Sequence, residues 1–481
     1  MFRATAIELA RHYRIVVLMF DRTEHEIWRT APGILCVDLE SEIKAEVARH
    51  ESRLAERTNE IENEIQMPLY KAASNYLLYR RFSIEYHHSW PPFYDSERHM
   101  MEEYVGSYGV LSRILDKYQP VLILHEAIDL VATVVALALA YKRQIFNWGL
   151  ILAPAMGDGA MILYYGLRRQ NFLCQYLVSN PHLIANQNRL RARAMITKVR
   201  SHGLPTVSHV ETRRSALGSP LRSAHQLLRA GATRSPALLM QRLRNWRWLQ
   251  RHFKHEIPQQ PFILYLMHLQ PEASTSSQSP RWVDQERIIE QIAVNAPQGV
   301  KIVVKENPQC FGWRGERYFG TLAAFENVHL IHPLVPTQEL LRRASVLLTI
   351  TGSAGVESIL LGTRVAVLGR PFYADAAGVR KLDLPEQIFS ELLDPSWLPP
   401  APADIETFVA AYLQSTHELG EVRPGEKWPA PATLGPRLAG AVRETLNFVD
   451  VHNLQPHQFD PGYPLGPAAG SKSNAAMPAG A

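Results

Sequence analysis

The sequence predicts an α/β protein with two Rossmann-like domains that face a cleft and are joined by a basic helical region. Three observations lead to this prediction: the length, two separate runs of alternating strand and helix patterns, and a strongly basic stretch between those runs. A chain of 481 residues is too long for one compact core, so two or three domains are expected. Alternating strands and helices favour parallel sheets, and ligand clefts commonly form where two domains meet.

In the first half, short β-branched and aromatic runs bounded by Pro, Gly or Asp predict strands at 14–20 and 33–37. Apolar residues spaced four and seven apart predict an amphipathic helix over 40–65. The clearest repeating unit is strand, helix, strand, which is typical of a parallel sheet. Its elements are predicted at 121–124, 127–142 and 145–148.

The second half shows the same alternation from residue 261 onward, which predicts a second parallel sheet. Its strands are predicted at 262–267, 301–304, 328–331, 346–350 and 365–368. Its helices are predicted at 282–294, 337–343 and 354–361, with two closing helices at 405–413 and 437–449.

These patterns divide the chain into five parts. They are an N-terminal Rossmann-like domain, a basic helical linker or insertion, a C-terminal Rossmann-like domain, closing helices and a tail. Their predicted limits are 1–170, 171–256, 257–400, 401–455 and 456–481. The tail is rich in Pro, Gly, Ala and Ser and is expected to be disordered.

The composition, 46% hydrophobic and 20% charged, is that of a globular protein. The three cysteines, Cys36, Cys174 and Cys310, lie far apart without paired Cys or His spacing, which argues against a disulfide framework or a zinc site. Charges interrupt the N-terminal stretch, and the longest apolar run, 130–141, is shorter than the roughly 20 residues that cross a bilayer. We therefore expect no signal peptide and no membrane span, and a reducing, cytoplasmic location.

Charge is concentrated in the middle of the chain. Residues 168–254 hold 17 lysines and arginines and one acid, Glu211, whereas the whole chain carries only +5. Such a block suits an anionic glycan acceptor or the anionic face of a membrane, or it is simply a solvated, arginine-rich surface. Nucleic acid is not expected as a partner, because no zinc-finger, RRM or KH signature accompanies the charge.

Three predicted strand ends in the second half are densely polar, and parallel strands place them on one edge of the sheet. After the strand at 262–267 comes a loop that delivers an imidazole, an amide, a carboxylate and two hydroxyls together, from His268, Gln270, Glu272, Ser274 and Thr275. A purely structural loop seldom needs all five. This loop is therefore a candidate catalytic or ligand-binding site.

The second strand end carries Lys305 and Glu306, followed by Asn307 and a turn at Pro308. The lysine ammonium group is suited to neutralising a phosphate. Pairing between Lys305 and Glu306 would explain the same two residues without a ligand, and both interpretations stay open.

The third strand end turns through small residues into a helix, with Thr351, Gly352 and Ser353 in the turn and Glu357 one helical turn later. Free amides at the helix start, the helix dipole and two hydroxyls suit a phosphate group, and Glu357 could accept hydrogen bonds from ribose hydroxyls. The alternative is that Ser353 is an ordinary N-cap and the glycines serve close packing.

In the first half, Glu126 follows the strand at 121–124, at the edge where ligands bind in open α/β sheets. It is also placed as a helix N-terminal acid would be. The sequence lacks GxGxxG, GxxxxGK[ST], GxSxG, HExxH and DxD-type metal clusters. These absences argue against a dehydrogenase, a P-loop NTPase, a serine hydrolase and a metalloprotease, and predict phosphate binding without a metal.

Three segments together resemble the capsular polysaccharide biosynthesis family, which includes Kdo-transferase-like glycosyltransferases. They are YLMHLQPEAST, VVKENP and LLTITGSAGVESILLGTRVAVLGRPFY. The resemblance covers 261–373 well and 121–126 loosely, and it leaves the basic block and the tail unmatched. It implies a GT-B-like fold, with the acceptor in the N-terminal domain and the nucleotide-sugar in the C-terminal one.

Carried onto this chain, the resemblance implies a role for each candidate residue. Nucleotide and phosphate contacts fall to Lys305, Asn307, Pro308, Thr351, Gly352, Ser353 and Glu357. Donor-sugar contacts fall to Gln270 and Ser274, and catalytic roles to Glu126, Asp129, Glu272 and His268. Asn307 stands where the family more often has His, a departure that concerns the choice of nucleobase.

The leading hypothesis is a metal-independent glycosyltransferase that moves a sugar from a nucleotide donor, such as CMP-Kdo, to a growing capsular or surface polysaccharide. The nucleotide-sugar is a substrate, and no cofactor is expected. An acidic or lipid-linked acceptor and contact with the inner face of the cytoplasmic membrane would use the basic block. The alternatives are a nucleotide-sugar isomerase or epimerase of GT-B-like fold and a non-catalytic assembly or export subunit.

Overall fold

The computed structural model describes most of the chain. The described residues are 2–20, 26–28, 30–75, 77, 96–125, 128, 130–153, 155–156, 159–203, 236–270, 272–308, 310, 312–422 and 429–459. Within these ranges, no helix combines the length and apolar character needed to cross a membrane. Three predictions fall outside them: the catalytic roles of Glu126 and Asp129, the middle of the basic region at 204–235, and the tail from 460 onward.

The first half alternates short strands with helices. Its strands are β1 Ile15–Met19, β2 Ile34–Asp38, β3 Leu122–His125, β4 Phe146–Leu152 and β5 Ala160–Tyr165. Its helices are α1 Phe2–Leu9, α2 Leu39–His50, α3 Leu54–Ile65, α4 Leu69–Ala72, α5 Glu97–Tyr118, α6 Val131–Lys142, α7 Phe172–Ser179 and α8 Asn186–His202.

The long helix predicted over 40–65 is broken in the structure. Residues Glu51–Arg53 form a 3-10 turn between α2 and α3. Two ion pairs lie at this turn: Arg53 pairs with Glu56, and Arg98 pairs with Glu51. The periodicity of apolar residues continues across the turn, so the sequence pattern does not reveal it.

The sheets of the first half differ from a purely parallel arrangement. Strands β1 and β2 form a separate parallel pair. Strands β3 and β4 are parallel, with α6 between them, as the sequence predicts. Strand β5 then turns back antiparallel to β4, with Trp148 opposite Tyr165, so this sheet is mixed.

The second half carries the larger sheet. Its strands are β6 Phe262–Leu266, β7 Lys301–Lys305, β8 Val328–Ile331, β9 Val346–Thr349, β10 Val365–Val367 and β11 Val379–Lys381. Its helices are α9 Pro236–His252, α10 Ala273–Ser276, α11 Gln285–Asn295, α12 Glu316–Ala323, α13 Thr337–Arg343, α14 Ala354–Leu361 and α15 Gln387–Leu393.

All six strands of this sheet are parallel, in the spatial order β11-β10-β9-β6-β7-β8. This is the order of a Rossmann fold, in which the chain reverses direction across the sheet between its first and fourth strands. Here the reversal lies between β6 and β9. Ligands in open α/β sheets bind at such a point, outside the carboxyl ends of the strands. The predicted α/β fold is confirmed.

The central strands are apolar because helices cover both faces of the sheet. Ile263, Val303 and Leu347 are completely buried, as are most of their neighbours. One cluster of buried side chains continues from this sheet into the first half, where it includes Trp148 and Phe172. The two halves therefore share part of their hydrophobic core.

The closing segment returns to the first half of the molecule. It consists of α16 Pro402–Gln414, β12 Thr416–Glu418 and α17 Pro431–Val451. Strand β12 pairs antiparallel with β5, α16 packs on α8, and α17 packs on α1. The sequence predicts the two helices but not the strand.

The predicted tail starts too early. Residues Pro456–Gln458 form a short 3-10 helix, and the ring of Phe459 packs 5.1 Å from that of Phe172. An aromatic side chain that covers an apolar core gains more from burial than its residue loses in conformational freedom. The prediction of disorder from residue 456 is therefore wrong as far as residue 459.

Candidate functional site

The three polar strand ends lie side by side. Strands β7 and β9 flank β6 on its two sides and run parallel to it, so the loops that follow Leu266, Lys305 and Thr349 leave the same edge of the sheet. This edge is the carboxyl edge at the point where the strand order reverses. The structure thus brings together the candidate residues of the second half, as the sequence predicts.

His268 holds the turn that follows β9. Its Nε2 atom accepts hydrogen bonds from the backbone amides of Ile350 at 3.3 Å and Thr351 at 3.5 Å, and lies 3.2 Å from the Thr349 hydroxyl. Burial, with a smaller effect from the Arg314 charge, lowers the pKa of His268 to about 4. The ring is therefore neutral near pH 7 and carries its proton on Nδ1.

The turn itself is built from small residues and short hydrogen bonds. The Gly352 amide donates to the Thr349 hydroxyl at 3.1 Å, and the Tyr373 hydroxyl donates to the Gly352 carbonyl. A Cβ atom on Gly352 would lie 2.7 Å from the Thr349 hydroxyl oxygen, and one on Gly355 would lie 2.2 Å from the Tyr373 ring. The glycines are required for these close approaches.

Ser353 occupies the N-cap position of α14 but does not cap the helix with its side chain. Its backbone is helical, with φ of −58°, and the residue is exposed to solvent. Amides in the first turn of a helix lack the acceptor four residues earlier that the later ones have. Those of Gly355 and Val356 donate to the Gly352 and Ser353 carbonyls, both at 3.1 Å. This end of α14 therefore leaves the Ser353 and Ala354 amides, with the positive end of the helix dipole, as the donors that a ligand could use.

The loop after β6 contacts this turn. The Thr351 hydroxyl donates to the Ser274 carbonyl at 3.2 Å, and the Ser274 hydroxyl donates to a Glu272 carboxylate oxygen at 2.7 Å. Glu272 is half-buried. Ser274 therefore links Glu272 to Thr351, because its hydroxyl bonds the first and its carbonyl bonds the second.

The same loop reaches the first half of the molecule. The Ser276 hydroxyl is hydrogen-bonded to the Asn75 side chain, and both residues are buried. In a second contact between the halves, the Gln170 side chain donates to the Arg370 carbonyl at 2.8 Å. The candidate site therefore stands beside contacts between the two halves.

Gln270, which the sequence predicts to contact the donor sugar, bonds groups inside the protein. The residue is buried, its amide nitrogen donates to the Val283 carbonyl at 2.5 Å, and its amide oxygen accepts from Arg314 at 3.3 Å. Both ends of the amide are thus engaged in holding the loop. In the described conformation, Gln270 supports the site from behind.

Lys305 is likewise engaged inside the protein. Its ammonium group is buried and donates to the Val335 carbonyl at 2.7 Å and the Thr337 hydroxyl at 2.6 Å. These bonds tie the end of β7 to the start of α13. The alternative pairing of Lys305 with Glu306 is not formed, because Glu306 pairs with Arg314 instead.

Arg314 is a central residue of the candidate site that the sequence did not predict. Its guanidinium group lies 3.1 Å from Glu306, donates to the His268 carbonyl at 3.3 Å and lies over the Tyr318 ring. Burial raises the pKa of Glu306, and the positive charge of Arg314 opposes that shift. A single arginine in a glycine-containing loop carries no sequence signal for such a central position.

The remaining candidates surround the turn or lie outside the described residues. Glu357 is half-buried in the first turn of α14, and Asn307 and Pro308 are half-buried after β7. The Asn307 amide donates to Glu306 at 2.7 Å, which fixes the start of that turn. Glu126 and Asp129 lie outside the described residues.

Residues 230–411 match the family model of the capsule polysaccharide biosynthesis protein. The family resemblance is confirmed over this segment. It contains all three polar strand ends, α9 and α14, and amounts to less than half of the chain. No curated protein sequence matches the chain.

Solved structures with a similar chain path include two transferases and an epimerase. The β-Kdo 2,7 transferase of Thermosulfurimonas dismutans KpsC has a TM-score of 0.37 at 12% identity, covering 70% of this chain and 88% of its own. The β-Kdo 2,4 transferase of the same protein has a TM-score of 0.38 at 14% identity, covering 64% and 85%. UDP-GlcNAc 2-epimerase from Neisseria meningitidis has a TM-score of 0.24 at 16% identity, covering 72% and 81%.

Proposed function

We propose that the protein is a glycosyltransferase of capsule biosynthesis that transfers a sugar from a nucleotide donor, CMP-Kdo being our first choice, to a growing capsular or surface polysaccharide. The observation that carries the proposal is the exposed turn at Ser353, which His268 and Thr349 hold from behind. The turn lies where the strand order of the sheet reverses and within the segment that matches the capsule biosynthesis family model.

In this proposal the donor phosphate rests on the amides that open α14. The acceptor hydroxyl oxygen attacks the anomeric carbon, the bond from that carbon to the phosphate oxygen breaks, and the nucleotide leaves with both bonding electrons. Negative charge builds on the phosphate as the bond breaks, so donors fixed in advance lower the barrier. Backbone amides and the helix dipole meet this need without a metal.

The side chains around the turn complete the assignment. We assign Glu357 to the ribose hydroxyls, because it lies one helical turn beyond Ser353, and Asn307 with Pro308 to the nucleobase side. Glu272 faces the donor sugar. A carboxylate from the first half, Glu126 first and Asp129 second, accepts the proton of the acceptor hydroxyl. Gln270, Ser274 and Lys305 hold the loops, as their hydrogen bonds indicate.

We propose that the protein works in the cytoplasm, where nucleotide-linked sugars would meet its donor site. Cys36 and Cys174 are free thiols, the first exposed and the second buried. Free thiols are suited to a reducing compartment.

The sharpest test changes one backbone donor. Ser353 has a φ of −58°, which suits proline, so Ser353→Pro removes the amide hydrogen with little strain. Loss of one hydrogen bond to a charged phosphate should weaken CMP binding about 10- to 100-fold. Ser353→Ala keeps the amide and loses only the hydroxyl, so it is the matched control and should bind CMP more tightly than Ser353→Pro.

The readout is thermal stabilisation of the purified chain by CMP-, UDP- and GDP-sugars, since a ligand that binds only the folded state raises its stability. If nucleotides stabilised Ser353→Pro and Ser353→Ala equally, the phosphate would not bind at this turn. Sugar transfer to an oligosaccharide acceptor then tests the reaction, and conversion of the donor without an acceptor would identify an isomerase instead.

A further inference from the structure

We propose that the exposed face of α9 is an electrostatic docking surface for anionic phospholipid headgroups. Arg244, Arg247 and Arg251 are all exposed, and their spacings of three and four place them on one side of the helix. Together with Met240 they form what we call the α9 stripe. The inference goes beyond the proposed sugar transfer and does not depend on which donor is used.

The α9 stripe differs from the other described part of the basic region. On α8, Arg191 pairs with Glu418 at 2.7 Å and Arg193 pairs with Glu406 at 2.8 Å. For the three arginines of the stripe, no carboxylate in the described ranges lies within 4.0 Å. Clustered like charges repel each other, so an anionic partner from outside the chain would relieve the repulsion within the stripe.

The opposite face of α9 is fixed to the second half of the protein. Leu249 is completely buried, and the Asn245 amide donates to the Trp313 carbonyl at 2.9 Å. The buried Arg242 guanidinium stacks on the Trp313 ring at 3.1 Å. Because these contacts prevent the helix from turning, the stripe is presented outward as a rigid surface.

Apolar side chains among the arginines favour lipid over an acidic glycan. Met240 is 65% exposed, and it lines an open groove of about 900 Å³ together with Leu243, Trp248 and the stripe arginines. One acid, Glu316, also lines the groove. A bilayer surface offers phosphates for the arginines and a hydrocarbon boundary for the flexible Met240 side chain, whereas a hydrated acidic glycan offers charge and sugar faces but no hydrocarbon interior.

The experiment is cosedimentation of the full chain with vesicles of phosphatidylcholine, with and without phosphatidylglycerol, and without donor or acceptor. Binding should require phosphatidylglycerol and weaken with added salt, because salt screens exposed charges. The triple variant Arg244→Gln, Arg247→Gln, Arg251→Gln should bind about 100-fold more weakly, at the usual contribution of a basic residue near an anionic surface.

The matched control removes the same number of charges from α8, as Arg189→Gln, Arg191→Gln, Arg193→Gln, and should bind vesicles within about threefold of the original chain. Equal loss in both triple variants would mean that only total charge matters and would overturn the proposal. So would unchanged binding by the α9 variant.

Met240→Gln separates lipid from glycan. It should weaken binding to the vesicles and leave binding to a soluble sulfated oligosaccharide unchanged, because only the bilayer offers an apolar boundary. If that oligosaccharide binds the stripe and vesicles do not, the partner is an acidic glycan and the lipid proposal fails. Failure of the nucleotide test at Ser353 would leave this result unaffected.

Discussion

His268 shows how one side chain combines a structural and a titratable role. It is buried behind the turn that it holds, and two backbone amides point at its Nε2 atom. Protonation of Nε2 would place a donor against those donors and a charge in an apolar setting. Burial therefore lowers the pKa of His268 and also holds its ring firmly behind the Ser353 turn.

We predict that the chain loses stability as the pH falls from about 6.5 toward 4. The folded pKa of His268 is about 4, below its ordinary value of 6.5, so the unfolded chain binds the proton first and its population rises with acid. The stabilisation is fully present above pH 6.5. Urea unfolding at several pH values should show that His268→Gln reduces this loss by up to about 3 kcal/mol.

His332 and His417 also have pKa values near 4 because of burial, so their contribution to acid sensitivity should remain in the His268→Gln variant. A variant with the same pH profile as the original chain would mean that His268 is not neutral and buried. The variant should also bind CMP more weakly at pH 7, since the turn loses its support.

Gly355 tests the packing of the turn. A Cβ atom there would meet the Tyr373 ring at 2.2 Å, and that ring is buried and bonded to Gly352 through its hydroxyl. Gly355→Ala should therefore cost about 1–3 kcal/mol of unfolding free energy. Gly440, in α17, has open space around it, so Gly440→Ala is the control and should be neutral or slightly stabilising. Equal melting temperatures for Gly355→Ala and Gly440→Ala would contradict the close packing of Gly355 against Tyr373.

At the scale of elements, Arg314 joins the loops that leave β6 and β7. Its guanidinium group bonds a carbonyl and a side chain of the first loop and the carboxylate of Glu306 in the second. A buried charge that loses its partner is costly, whereas a buried pair replaced as a whole by apolar residues often is not. The pair thus positions the loops more than it stabilises the fold.

Arg314→Met should destabilise the chain by about 3–5 kcal/mol, because Glu306 is left buried without its counter-charge. Adding Glu306→Leu should recover much of that loss while CMP binding stays weak, since the loops are no longer joined. Chemical denaturation measures the first effect and calorimetric titration the second. Arg380→Met, which breaks half-exposed pairs with Glu391 and Asp394, is the control and should cost no more than about 1 kcal/mol.

At the scale of the whole molecule, the closing segment makes the halves interdependent. Strand β12 extends the first sheet, α16 packs against α8 and α17 against α1. The hydrophobic core that contains Trp148 in the first half also contains Leu264 in the second. Each half also has a cluster of its own, but the shared cluster would be exposed if the halves separated.

We therefore predict a single cooperative unfolding transition in differential scanning calorimetry. Phe408 in α16 is buried in the shared core, so Phe408→Ala should lower the transition by several degrees, at a cost of about 3–5 kcal/mol, without splitting it. Leu393, which is 82% exposed, is the control, and Leu393→Ala should leave the transition in place. Two separate transitions would show that the halves unfold independently.

The sequence by itself determined the parallel sheet of the second half, because buried strands and amphipathic helices impose local periodicities that survive in any context. The predicted helices at 337–343 and 354–361 agree with α13 and α14 residue for residue. Strands β11 and β12 were missed because they are short and mostly polar, whereas β10, equally short, is wholly apolar and was predicted.

Only the tertiary structure decided which polar residues hold the loops. Lys305 and Gln270 look like ligand-binding residues in the sequence, yet their polar groups are satisfied within the protein. Arg314 carries no local pattern and becomes central because its loop folds against two others. Periodicity reports burial along one element, whereas hydrogen-bond partners come from residues distant in sequence, and only the folded chain brings those together.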